Sequence, residues 1–391
     1  MENLLDDKNR VIAMNLPRKL VFGDHCIRQF TQYFANLPVS RVMIIADSNI
    51  RSYITDLSDA CQSAGKTCFT DYSVVSEPTI NDFEKLLTEA ESQKIDAVIG
   101  MGGGSVLDVA KLVAVMSYSS QPLDEAFGNG NIKERMVFLA CLPSTAGTGS
   151  EVSPNAILLD ERDNKKKAVI SPFLVPDASF IDPLLTYSVP PSVTASTGLD
   201  ALTHCIEAYA NVHANQLINL FALEGIRLIG NHLKRACENG ADAEARRNVA
   251  LGSMHGGLCL GPVNTAAVHA MAYPLGSMFG IPHGVSNAIL LPHVLDFNLP
   301  AAVKSYAQIA LALGVAYKEP EIDMASEGIR VIEKLVQQLG IKSKLSAYNS
   351  NITKNDIPLM VESAMSVSRL LKNNVRQLTA EDMQTIYHKL F

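Results

Sequence analysis

The chain has no Cys-x-x-Cys pair, no block of lysines and arginines long enough to mark a nucleic-acid surface, and no apolar run near the roughly 18 residues that cross a bilayer. Each absence closes a class of function. Seven cysteines (Cys26, Cys61, Cys68, Cys141, Cys205, Cys237 and Cys259) are scattered along the chain. They read as small buried residues of a reduced compartment, not as disulfides or a sulfur-ligated metal centre. A formal net charge of −7 leaves no electrostatic footprint for nucleic acid. The N-terminus, MENLLDDKNR, is polar and acidic where a signal peptide is basic and then apolar. Internal repeats and low-complexity tracts are also missing. A cytoplasmic protein with neither membrane nor nucleic-acid partners is expected.

What the chain has in abundance is hydrophobic sequence, 47% of 391 residues, enough for a large core in two domains. Short β-branched runs, RVMIIAD (41–47), DAVIGMG (96–102) and MVFLACL (136–142), alternate with helical stretches such as TINDFEKLLTEAESQ (79–93). In the latter, Ile80, Phe83, Leu86, Leu87 and Ala90 recur at helical spacing. This is the pattern of a parallel sheet with helices on its faces. Residues 155–170 read as a hairpin and 178–182 as one more strand. After Pro190 and Pro191 strand signals vanish and nearly every segment has helical periodicity. The predicted architecture is an α/β, Rossmann-like dinucleotide-binding domain over residues 1–191 and an all-helical domain over 192–391.

Three features of the first half suit a nucleotide. In VIGMGGGSVLDVAK (98–111) an apolar run ends on Gly102, Gly103 and Gly104, and Ser105 opens a helix. Consecutive glycines let backbone approach a ligand, and the unpaired amides of a helix start favour a pyrophosphate. The third glycine of a G-x-G-x-x-G fingerprint is absent and there is no G-K-[ST], so a turn chosen only for tight strand-to-helix geometry is the competing reading. Asp47 ends the strand RVMIIAD, where an acid can bond ribose hydroxyls and repel a 2′-phosphate, or simply start a turn. LPSTAGTGSEVSPNA (142–156) supplies the hydroxyls of Ser144, Thr145 and Thr148 directly after a strand.

The second half holds STGLDALTHCIEAY (196–209), with Asp200 and His204 four places apart on one helical face. VHAMAYPLG (268–276) carries His269, and GIPHGVSNAILLPH (280–293) carries His283 and His293. A carboxylate with two or three imidazoles and no thiolate suits Fe2+ or Zn2+. Any one of these residues alone is equally an ordinary hydrogen-bonded core residue. Their joint occurrence, in what read as three consecutive helical segments, favours a metal.

GGGSVLDVAK, TAGTGSEV, TGLDALTHCIEAY, VHAMAYPLG and PHGVSNAILLPH, in this order, resemble the iron-containing alcohol dehydrogenases from about residue 15 to the end. The resemblance implies the dehydroquinate synthase-like, iron-containing alcohol dehydrogenase fold, with an active site in the cleft between its two domains. It implies a homodimer, an NAD cofactor in preference to NADP, and Fe2+, with Zn2+ as the second choice. Metal ligands carry over to Asp200, His204, His269 and His283, and the pyrophosphate turn to Gly102, Gly103, Gly104 and Ser105. Further cofactor contacts fall on Asp47, Asp108, Ser144, Thr145, Thr148, Ile157 and Lys166. His293 lies beyond this ligand set and is read as structural. The implied reaction passes hydride between a small alcohol and NAD while the ion polarises the substrate oxygen.

Many members of that family have histidine where this chain has Tyr273, four residues after His269. Tyr273 and Asn155 are the candidates on the catalytic and substrate side, together with the segment LCLGPVNTAA (258–267). A phenol, with a reference pKa of ~10, is a poor proton acceptor at neutral pH. In the absence of a neighbouring cation it is expected to shape the pocket and not to relay protons. A dehydroquinate synthase-type lyase would need a denser Lys/Arg cluster than residues 197–293 contain. A metal-independent reductase and a non-catalytic nucleotide binder also compete with the dehydrogenase reading.

Overall fold

The computed structural model describes residues 11–391, so the polar N-terminus read above, residues 1–10, lies outside the described residues. Cα packing separates two compact units, Asn15–Val189 and Pro190–Phe391, the second joined by the segment ending at Met14. The sequence reading ran the first domain from residue 1. Met14 instead packs beside Ala208 and Ile218, because an apolar side chain at that point finds its burial among helices.

The α/β unit comprises β1 (Lys19–Phe22), α1 (Cys26–Ala35), β2 (Arg41–Ala46), α2 (Arg51–Ser63), β3 (Thr67–Asp71), α3 (Ile80–Ser92) and β4 (Ala97–Gly102). It continues with α4 (Gly104–Met116), α5 (Leu123–Ala126), β5 (Gly128–Asn129), β6 (Phe138–Pro143), β7 (Asn155–Asp160), β8 (Lys165–Ile170) and β9 (Ala178–Ile181). Six strands form a sheet in the order β1-β9-β6-β4-β2-β3, and β5, β8 and β7 form a second, small one. Every pairing in the large sheet is parallel. Both of its faces are covered, which is why its strands are apolar throughout and do not alternate with polar residues. Met43, Ile45 and Val98 enter one core, while Val42, Ile44 and Ile99 enter the other, as the two-residue period of a strand requires. The hairpin read over 155–170 is the antiparallel pair β7 and β8.

Strand order reverses between β2 and β4, and at such a switch point the carboxyl ends of the strands frame a ligand crevice. The chain after each strand is tied to its neighbour there. The Asp47 amide donates to the Met101 carbonyl at 2.8 Å and the Ser144 amide to the Gly102 carbonyl at 2.9 Å.

The helical unit contains α6 (Pro191–Tyr209), α7 (Gln216–Glu238), α8 (Ala243–Leu260), α9 (Ala267–Phe279) and α10 (His283–Ala312). These are followed by α11 (Glu321–Gln338), α12 (Ile357–Ser366), α13 (Ser368–Leu371) and α14 (Ala380–His388). No named strand occurs there among the described residues. Pro191 starts α6 at the position where a missing N–H costs nothing. From Leu199 to Ala208 the helix is buried all round, since α7, α8 and α10 surround it. The first turn of α10 rests directly on α6, and glycine is required for it: a Cβ on Gly284 would stand 2.2 Å from the Ser196 carbonyl oxygen. That approach brings His283 to Asp200. Among the described residues no helix is long and apolar enough to cross a membrane.

Candidate active site

Asp200 and His204 project from α6, His269 from the first turn of α9, and His283 from the first residue of α10. Helices α7 and α8 intervene, so the segments are not consecutive as the sequence suggested, yet the structure brings all four side chains together. Around Asp200 Oδ1 stand His269 Nε2 at 3.5 Å, His283 Nε2 at 3.6 Å and His204 Nε2 at 3.9 Å. Ligand atoms of Asp200, His269 and His283 all lie within 4.8 Å of one another. The His204 and His269 rings stack at 4.7 Å, and the His283 ring meets His269 at 5.4 Å. Asp200, His204 and His269 are buried, whereas the His283 side chain keeps 29% of its exposure and marks the open side of the group. His293, further along α10, lies outside the cluster.

Two members of this group escaped the sequence reading. Glu207, seven residues after Asp200 on the same stripe of α6, accepts from His269 Nδ1 at 2.6 Å through Oε2 and from the Val268 amide at 2.6 Å through Oε1. A carboxylate on Nδ1 sets the tautomer and leaves Nε2 as an acceptor aimed into the cluster. Asn287, one turn after His283, directs Nδ2 at Asp200 Oδ1 (2.6 Å), His269 Nε2 (3.1 Å) and His283 Nε2 (3.2 Å). Its own Oδ1 is buried with no hydrogen-bond partner among the described residues. Three acceptors thus converge on one point, and the donor set is that of a borderline divalent ion.

The electrostatics agree. Burial alone raises the Asp200 carboxyl, but His204, His283 and His269 outweigh it and hold the group well below the ordinary carboxylate range. Burial lowers His269, but Glu207 and Asp200 outweigh it and raise the imidazole to about 10. A pocket with two buried carboxylates demands positive charge, and a dication answers that demand as a proton does.

Tyr273 lies one turn beyond His269 and its ring is 6.0 Å from that of His283. The expectation that it has no neighbouring cation is wrong: Arg369 Nη2 donates to the Tyr273 hydroxyl at 3.2 Å. The arginine is on α13, 96 residues away, and nothing local announces it. Within the 258–267 segment, Cys259 and Val263 are packed into the core with Ala208 and Ile218.

In the α/β unit, Gly102 ends β4 and Gly103 caps α4, so the first amides of α4, beginning with Gly104 and Ser105, have no helical acceptor. The hydroxyl loop packs directly on this turn. A Cβ on Gly104 would come within 2.4 Å of Thr148 Cγ2, whereas one on Gly103 would only reach ordinary contact with Thr145 Cγ2 at 3.5 Å. Ser144 Oγ and Asn155 Oδ1 are buried without hydrogen-bond partners among the described residues, and buried polar atoms of this kind call for a partner such as water, an ion or a ligand.

Other sequence candidates have structural employment. Asp108 accepts from the Ser150 hydroxyl at 2.5 Å and from the Ile157 amide at 3.0 Å. Lys111, fully buried and passed over in the sequence, donates to the carbonyls of Ser150 and Ser153 at 2.9 Å and of Asn155 at 2.5 Å. Together they hold the chain from Ser150 to Ile157 against α4. Lys166 is ion-paired with Glu77. Asp47 caps the short turn after β2, accepting at Oδ1 from the Asn49 amide and side chain, both at 2.8 Å.

Comparison with known proteins gives one answer for both units. Residues 17–183 match the family model described as iron-containing alcohol dehydrogenase, and residues 194–391 match its C-terminal counterpart. The chain is 34% identical over 375 residues to long-chain-alcohol dehydrogenase 1 of Geobacillus thermodenitrificans, covering 94% of each protein. The crystal structure of a 1,3-propanediol oxidoreductase superposes with a TM-score of 0.93 at 28% identity, over 98% of this chain and 100% of that one. Sulfoacetaldehyde reductase from Bifidobacterium kashiwanohense, solved in complex with NAD+, superposes with a TM-score of 0.85 at 26% identity, over 98% and 99%. With a parallel-sheet unit, an all-helical unit and both family matches in place, the chain belongs to the iron-containing alcohol dehydrogenases and is an oxidoreductase of alcohols and aldehydes.

Proposed function

We propose that Asp200, His204, His269 and His283 hold one divalent ion, Fe2+ with Zn2+ as the alternative, and that NAD binds at the turn of Gly102 to Ser105. The reaction is hydride transfer between a small alcohol or aldehyde and that cofactor. The observation that carries the reading is the convergence of Asp200 Oδ1 and the Nε2 atoms of His269 and His283 on one buried point. When bound, the ion supplies Lewis acidity toward the substrate oxygen and the nicotinamide supplies or takes the hydride.

The chain's own residues do the rest. Glu207 fixes the His269 tautomer, and Asn287 holds the Asp200 carboxylate through its amide. In the α/β unit the first amides of α4 cradle the pyrophosphate, and Ser144, Thr145, Thr148 and Asn155 offer side-chain groups beside it. Asp47 has one oxygen committed to Asn49 and the other to offer to a ribose hydroxyl, where its charge disfavours a 2′-phosphate. Asp108, Ile157 and Lys166 support this wall from behind through Ser150 and Glu77.

The relatives are named for substrates as different as long-chain alcohols, 1,3-propanediol and sulfoacetaldehyde, so the reaction class carries over and the chain length does not. Free, mostly buried thiols support a reducing, cytoplasmic setting. The family resemblance supports a homodimer. The decisive experiment is elemental analysis and NADH-linked turnover before and after chelation, with Fe2+ or Zn2+ added back. Activity should vanish and return with the metal; full turnover by metal-free protein would overturn the reading.

A further inference from the structure

We infer that Arg369, seated on Tyr273, makes this enzyme select an aldehyde or alcohol bearing a single anionic group, a carboxylate or a sulfonate. The inference deepens the dehydrogenase reading and rests on it. Tyr273 links the arginine to the polar cluster, with its ring 6.0 Å from His283 and its hydroxyl 3.2 Å from Arg369 Nη2. The phenol itself is held rigidly, 7% exposed and packed with Ala270 and Leu370.

Arg369 is half-buried, and among the described residues it has no carboxylate in ion-pair reach. Among the described residues most other arginines are answered. Arg135 meets Asp177 at 2.9 Å and Arg162 pairs with Asp124 and Asp160. Those without an acid spend their groups otherwise: Arg41 on the Gln93 carbonyl and the Phe69 ring, Arg376 on the Phe297 carbonyl and ring. Among the described residues Arg369 has one neutral oxygen for its five N–H donors, which uses a single hydrogen. A planar carboxylate or a sulfonate fits the remaining fork, and charge-assisted bonds of this kind are the strong ones. The Tyr273 hydroxyl aims the fork.

The test compares 4-oxobutanoate with butanal, and 3-oxopropane-1-sulfonate with the same neutral aldehyde, in NADH-linked reduction by metal-loaded enzyme. The ratio of kcat/KM, anionic over neutral, should favour the anion and fall by about tenfold or more in Arg369→Gln, mostly through KM. Arg369→Lys should retain part of the preference, and whichever anion shows the larger ratio identifies the group selected. A ratio at or below unity in the unmodified enzyme, or one unchanged in Arg369→Gln, overturns the inference. Calorimetric titration of butanoate, a monoanion, into both proteins separates this failure from that of the dehydrogenase reading. If no aldehyde turns over, the reading of the reaction falls, and the anion site is judged on binding alone: weaker binding to Arg369→Gln supports it, and equal binding rejects it.

Discussion

The polar cluster of the helical unit is built from side chains, with Asp200 and Asn287 meeting across 87 residues of chain, whereas the glycine turn of the α/β unit is built mostly from backbone that follows directly on β4. The first gets its chemistry from the identity of a few buried polar groups, each answering another. The second gets its chemistry from room: a strand ends, a helix begins, and the absence of side chains exposes amides. The two therefore fail differently. Removing a side chain should ruin the cluster, while adding one should ruin the turn.

The largest expected effect follows from His269→Ala. Loss of one inner imidazole should empty the metal site and lower kcat/KM by about 10³-fold or more, since a Lewis acid contributes several kcal/mol. Equilibrium NADH binding, followed by fluorescence, should change by less than about twofold if the turn is independent, because substitutions that share no partner usually act additively. A large loss of NADH affinity would break the comparison.

Glu207→Gln sharpens it. The amide can still accept from the Val268 N–H but no longer stabilises the His269 tautomer with a charge, and carboxylates in this position typically contribute 10–100-fold to metal affinity. Competition with a fluorescent chelator should show a loss of about that size. Metal affinity equal to that of the unmodified protein would reduce Glu207 to a packing residue.

Gly104→Ala is the opposite probe. Its methyl would need the space 2.4 Å from Thr148 Cγ2, so turn and hydroxyl loop must separate, and the dissociation constant for NADH should rise about tenfold, the equivalent of 1.4 kcal/mol. Metal content by elemental analysis should stay at the unmodified level. Unchanged NADH binding would show that the turn does not cradle the cofactor.

The smallest effect belongs to Asp47→Gly. A single half-exposed charge contributes at most about 1 kcal/mol, so the NAD-over-NADP ratio of kcat/KM should narrow by about fivefold or less. An unaltered ratio would leave Asp47 as nothing more than the cap of the turn it closes with Asn49.

How much of this was legible depended on distance along the chain. β4, the glycines and α4 form one contiguous segment, and a short continuous apolar run that ends in glycines and passes into period-3.6 apolar residues declares strand, turn and helix without outside help. Asp200 and His204 declare a helical face for the same reason. Glu207 was also legible in principle, since it continues that stripe by one more turn, but a glutamate near a helix end is an ordinary surface residue until its burial is known. Lys111 was missed on similar grounds: in sequence it is one lysine in a helix, and only the close packing of residues 150–155 turns it into a buried three-carbonyl donor.

The sequence by itself determined the fold class, the strand-to-helix turn and the shared helical face of Asp200 and His204, because each rests on local periodicity or on a short motif, while the choice of His269 and His283 as their companions came with the family resemblance. Tertiary structure alone decided that α6, α9 and α10 converge although α7 and α8 lie between them, that Asn287 points into the cluster, and that Arg369 reaches Tyr273. Periodicity specifies which face of a helix is buried but not which other helix covers it. That choice is made by steric fit, such as Gly284 against the Ser196 carbonyl, and a fit of that kind exists only once the chain has packed.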